Sequence, residues 1–83
     1  DFVWVGLSQC LPGGGAEMDA GATGKIYVVL DGEVTIELAE GVRERLGPLD
    51  SCFIAAGEAR AIRNESNTVA RMIVIMPPPG APQ

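Results

Sequence analysis

The 83-residue chain contains no histidine. Its absence excludes Ser-His and Cys-His nucleophilic catalysis, imidazole acid–base chemistry and every metal site built on imidazole. Cysteine is nearly absent too: Cys10 and Cys52 are the only two, too few for the disulfide framework that holds small secreted domains together. Two reduced, mostly buried thiols in a cytoplasmic protein fit that count, with a single bridge or a reactive thiol as the alternatives, and Cys52 shares its alternation with the apolar Ile54. Cations are scarce, with six Lys and Arg against eleven Asp and Glu. The resulting charge of −5 has the wrong sign for nucleic acid or an anionic membrane as main partner. No apolar run approaches the ~20 residues of a membrane span, and no signal-peptide pattern is visible. The chain opens on Asp1 in place of Met, which fits a trimmed N-terminus. No helical periodicity of useful length occurs either.

What remains is β-sheet. Apolar residues at 47% and charged residues at 20% are the composition of a globular domain. A single domain this short buries only about 60–65% of its unfolded surface, so it needs an efficient core, a staple or a partner subunit. Eight short β-rich runs are separated by turn chemistry: Phe2 to Cys10, Ala16 to Asp19, Lys25 to Leu30, Glu33 to Leu38, Val42 to Leu46, Ser51 to Ala55, Ala59 to Asn64 and Val69 to Met76. That spacing predicts one all-β antiparallel barrel or jelly roll over residues 1–76. The proline-rich residues 77–83 read as an extended, poorly packed tail.

Asp31-Gly32 predicts a two-residue type I′ hairpin, pairing Leu30 with Glu33 and Val29 with Val34, and so on outward to Lys25 with Leu38. Alternation then directs Lys25, Tyr27, Val29, Val34, Ile36 and Leu38 inward. The opposite face mixes Ile26, Val28 and Leu30 with Glu33, Thr35 and Glu37. By the same parity Arg60, Ile62 and Asn64 face inward and Arg63 faces solvent. Lys25 and Arg60 are therefore two cations aimed at the interior. A buried cation needs an anion, from the protein or from a ligand.

These residues resemble the cupin superfamily. Leu11-Pro12-Gly13-Gly14-Gly15 followed by Lys25-Ile26-Tyr27-Val28-Val29-Leu30-Asp31-Gly32-Glu33 is similar to the first cupin motif, and Leu49 to Asn64 is similar to the second. The resemblance spans roughly residues 11 to 76. It implies a β-barrel of two antiparallel sheets, commonly dimeric, around a ligand or metal cavity. Metal-binding members carry two histidines and a carboxylate in the first motif and a third histidine in the second. Aligned on Gly13 and Gly32, these positions hold Asp19, Gly21, Lys25 and Arg60. Asn64 matches the motif's asparagine, Ala55 replaces its proline, and Leu49 replaces its opening glycine. No metal or other cofactor is expected at such a set, and no metal-dependent activity carries over. A one-residue slip would place Met18 and Ala20 at the histidine positions and turn Asp19 away.

Three functional readings follow. In the first, a metal-free barrel binds a small anionic organic molecule through Lys25 and Arg60, with Asp19 at hand and with Tyr27 and Ile62 lining the apolar remainder. In the second, Asp19 pairs with Arg60 or Lys25 and plugs the cavity, leaving a structural, dimerising protein. In the third, a metal-independent isomerase or cyclase uses Lys25 and Tyr27 for proton transfer, since a lysine beside another cation in a dry pocket can act as a base. Apolar residues on both faces of the first strand, Trp4 among them, favour a homodimer. Glu40, Arg43, Glu44 and Arg45 read as a solvated edge hairpin that discourages strand addition. Asn64-Glu65-Ser66 matches the glycosylation triplet, a pattern that also arises by chance.

Overall fold

A computed structural model of the chain describes residues 4–77. The expected strand start before Trp4 and the tail beyond Pro77 lie outside the described residues. Eight strands follow one another: β1 (Trp4–Cys10), β2 (Gly15–Ala20), β3 (Lys25–Asp31), β4 (Val34–Leu38), β5 (Arg43–Leu46), β6 (Ser51–Ile54), β7 (Ala59–Arg63) and β8 (Ala70–Met76). They form two four-stranded antiparallel sheets, in the orders β1-β8-β3-β6 and β2-β7-β4-β5. This is an all-β double-sheet barrel, with strand positions close to those read from turn chemistry.

The predicted β3–β4 hairpin does not form. β3 is already paired on both sides, by β6 and β8, so it has no free edge to offer β4. β4 pairs instead with β5 and β7 in the other sheet. A type I′ turn needs positive φ at both central residues, and of the pair only Gly32 has it, at 80°. Gly32 turns the corner between the sheets. A Cβ there would stand 2.6 Å from the Ala70 Cα, so only glycine allows this close approach. Asp31 continues the ladder opposite Arg71 of β8, to which it is ion-paired.

The inward set survives the change of pairing, because the inner faces of stacked sheets still point at each other. Tyr27, Val29, Val34 and Ile36 are buried, joined by Leu46, Ile54, Ile62 and Met72. The outward set splits. Ile26 and Val28 lie on the outside of one sheet, while Thr35 and Glu37 lie on the outside of the other beside Arg43, Arg45 and Arg63. The β4–β5 hairpin is the solvated edge expected of Glu40 to Arg45, with Arg43 ion-paired to Glu65 at 2.6 Å.

One buried polar side chain and one left-handed turn residue mark the barrel ends. Asn64 is 1% exposed and donates both amide hydrogens, to the Cys10 carbonyl at 2.8 Å and the Thr68 carbonyl at 2.7 Å. Its amide is thus consumed by the fold, which rules the glycosylation triplet out as a modified surface site. Leu49 has φ 70° in the turn before β6, a left-handed conformation that suits glycine and strains leucine.

Candidate functional site

The inward positions of β1 are Trp4, Gly6, Ser8 and Cys10, opposite Met76, Val74, Met72 and Ala70 of β8. Gly6 and Ser8 are too small to reach across the barrel. A Cβ on Gly6 would meet nothing within 4 Å. On the facing sheet, the edge strand β2 offers only Gly15 and Ala16 at the corresponding depth. Small residues on both edge strands therefore leave a cavity of about 370 Å³, whose walls include Lys25, Tyr27, Arg60, Ile62, Met72 and Val74.

Lys25 opens β3 on the inward side, across from Ile54. The loop before it is held by the Gly57 N–H donating to the Gly21 carbonyl at 2.9 Å. The ammonium rests over Gly21, where a Cβ would come within 3.4 Å of Nζ. Among the described residues the Lys25 ammonium has neither an ion pair nor a hydrogen-bond partner. Arg60 projects from β7, and its Nε donates to the Tyr27 hydroxyl oxygen at 2.9 Å. Its guanidinium carbon lies 5.9 Å from the Tyr27 ring centre, within cation–π range. Its Nη1 donates weakly to the Glu17 carbonyl at 3.4 Å. Because the Tyr27 oxygen accepts from Arg60, the phenol retains its own hydrogen for donation elsewhere.

Asp19 stands apart. An irregularity in β2 between Ala16 and Asp19 sets it opposite Arg60 in register. Even so, no ion pair within 4.0 Å joins it to Arg60 or Lys25 among the described residues, and it is exposed. The salt-bridge plug is not formed. Of the five site residues read from sequence, Lys25, Tyr27, Arg60 and Ile62 meet around one cavity, and Asp19 is not part of its wall.

Sequence reasoning missed Gly6, Ser8, Met72 and Val74. The signal was present in the alternation of small residues Gly6, Ser8 and Cys10, each facing the interior from an otherwise bulky strand. Trp4 shares that parity, while Val5 and Leu7 take the outer face. The two thiols are free. Burial pushes the Cys10 thiol up, and Cys52 is raised by burial first and by Glu58 and Glu44 second. Both are thereby poor nucleophiles.

The four positions at which the resemblance implies metal ligands do not fit a metal. Gly21 offers no donor, and Lys25 and Arg60 would repel a cation. No group of three or more Cys, Asp or Glu side chains able to hold a metal ion occurs among the described residues. Nor is any helix of the described residues long and apolar enough to cross a membrane.

Comparison with known proteins places this site in context. The chain is 42% identical over 78 residues to a beta-D-galactosidase of Mycobacterium tuberculosis, an alignment covering 94% of this chain and 66% of that protein. It thus spans just under two thirds of the relative's length. Among solved structures, the TT1209 protein of Thermus thermophilus is similar, with a TM-score of 0.81 and 30% identity over 93% of this chain and 74% of that one. BH2720 of Bacillus halodurans superposes with a TM-score of 0.86 at 19% identity over 100% of this chain and 67% of the other, a likeness of fold. Residues 7–76 match the Cupin domain family, and with both motifs lying on the strands that enclose the cavity, the chain belongs to that family.

Proposed function

We propose that this cupin barrel binds a small organic anion, a carboxylate with an apolar body, in its central cavity, and that it does so as a homodimer. One observation carries the ligand: the cavity wall holds two cations and no carboxylate among its lining residues. Arg60 is satisfied there only by neutral oxygens, and the Lys25 ammonium has no partner among the described residues. An incoming carboxylate would receive the Lys25 ammonium as a movable point charge and hydrogen bonds from Arg60 and the Tyr27 hydroxyl. Ile62, Met72 and Val74 would face its apolar part, the usual division of labour in a small-molecule pocket. The dimer draws its support from the outer face of β1, whose Val5 and Leu7 are exposed.

The relative's name suggests glycoside hydrolysis. That reaction ordinarily needs two carboxyl groups about 5–9.5 Å apart around the scissile bond, and this cavity wall supplies cations in their place. An enzymatic alternative rests on Lys25 and Tyr27. The neutral Lys25 amine would add to a substrate carbonyl carbon and the carbonyl oxygen would leave as water, forming an imine that borohydride would reduce to a stable secondary amine at that residue. For the binding reading, thermal unfolding with and without benzoate is the test. Benzoate is expected to raise the wild-type midpoint and to leave Lys25→Ala and Arg60→Ala unmoved. Equal protection of wild type and both variants would refute the clamp.

A further inference from the structure

Two neighbouring inward positions of β1 differ in kind. Gly6 contributes no side chain, whereas Ser8 puts a hydroxyl on the cavity wall. Ser8 is half-buried, and among the described residues its hydroxyl has no hydrogen-bond partner. Its surroundings are apolar. The ladder aligns Ser8 with Met72 and Val29 in its own sheet, and the edge of the facing wall is made by Ala16 and Ile62. Gln9, the next residue, has the outward parity of Arg71. A serine hydroxyl both donates and accepts, so the cavity has a second polar position, set apart from its cations.

Register gives the separation. Tyr27 stands in the row of Gly6 and Val74, two strands across and one inward step along from Ser8. At about 3.4 Å per residue and about 4.8 Å between strands, the two Cα atoms are about 12 Å apart. Lys25 lies one inward step further on.

We propose that the anion held by Lys25, Arg60 and Tyr27 is an aromatic acid with a hydroxyl para to its carboxylate, and that Ser8 is the residue that recognises this hydroxyl. The inference rests on the carboxylate reading above and narrows its ligand class.

Span and charge both favour this class. Ser8 and Tyr27 each point inward, so their tips keep roughly the lateral separation of their Cα atoms. Two hydrogen bonds of about 2.8 Å each leave about 6 Å between them, the length of one benzene ring with its para substituents. Gly6 leaves room for that ring, since a Cβ there would meet nothing within 4 Å. At the far end a second carboxylate would find no cation and an ammonium no acid, because Met72, Val29, Ala16 and Ile62 are the neighbours. A neutral hydroxyl needs only the serine, donating its hydrogen to Ser8 Oγ. An acid with a bare apolar edge would instead cover Ser8 and leave its hydroxyl without a partner, a penalty on the deoxy ligand.

Isothermal titration calorimetry with para-hydroxybenzoate and benzoate tests this. Wild type is expected to bind the hydroxy acid about three- to tenfold more tightly. In Ser8→Ala the two acids are expected to bind alike. Equal affinity in wild type, or a preference that persists in Ser8→Ala, overturns the role of Ser8 and leaves the carboxylate site standing. Binding of neither acid to wild type overturns both. Should Ser8→Ala not fold, intermolecular NOEs in the wild-type complex decide. The ring protons beside the hydroxyl must contact the Ser8 β-protons, and contacts that place this edge against Lys25 and Arg60 contradict the assignment.

Discussion

One half of the barrel interior is packed and the other is hollow, although both are built from the same kind of strand. Where β3, β4, β5 and β6 face one another, Val29, Val34, Ile36, Leu46 and Ile54 close the space with branched side chains. Toward the edge strands β1 and β2, the inward positions shrink to Gly6, Ser8 and Ala16, with the Gly15 backbone beside them, and the space stays open. A domain of this size is marginally stable, and every unfilled inward position forgoes burial worth about 1.5–3 kcal/mol for a large side chain. The hollow is thus costly, and it sits beside the two interior cations. The difference teaches that the stability and the proposed chemistry of this barrel reside in opposite halves.

Breaking the packed half should have the largest effect. Ile36→Ala removes a buried side chain from the centre of that core and is expected to cost about 2–5 kcal/mol, enough to unfold much of the protein in a urea titration. A smaller change of opposite sign is expected at the turn that leads into β6. Leu49 holds a left-handed backbone at 82% exposure, so Leu49→Gly relieves strain at the expense of unfolded-state entropy. Its net gain should be about 0.5–1 kcal/mol. In the hollow half the expectation separates stability from binding. Gly6→Val adds a side chain where nothing stands within 4 Å and should change stability by no more than about 1 kcal/mol. The same variant should lose all protection by benzoate in a thermal shift assay.

The smallest effect belongs to the surface. Arg71 holds the Asp31 carboxyl below the usual carboxylate range, and Arg43 does the same for Glu65. A depressed folded-state value means that the stabilisation is present above the unfolded value and is lost as pH falls through the folded one. Thermal midpoints should therefore decline slightly between about pH 5 and about pH 3. In Asp31→Asn part of that decline should vanish. Both pairs are exposed, so the change is expected to be near the limit of detection.

How much of this could be read from the chain depends on which kind of signal carried it. Period-two alternation is local, and it correctly directed Tyr27, Val29, Val34, Ile36, Arg60 and Ile62 inward. Strand pairing is not local. Asp31-Gly32 has the composition of a hairpin, and the turn goes elsewhere because β3 is a central strand with partners on both edges. Its apolar residues on both faces, Ile26 and Val28 outside and Tyr27 and Val29 inside, were the available hint. The same error merged two outer surfaces into one amphipathic face, which hid the contrast between an apolar sheet and a charged one. At the site, the cations were legible because charge at an inward position is rare. The cavity was not, since emptiness is made by small residues on two strands that meet only in the folded barrel. Asp19 illustrates the remaining limit: register sets it opposite Arg60, and only side-chain geometry leaves the pair unformed.

The most direct measurement of the central claim is an amide NMR titration of the protein with small monocarboxylates, from butyrate to naphthoate, each run against its neutral amide. Saturable shifts confined to β1, β3 and β7, produced by an acid and not by its amide, and absent in Lys25→Ala and Arg60→Ala, are the predicted result. Shifts that never saturate, or that acids and amides produce alike, would contradict a cationic binding cavity in this barrel.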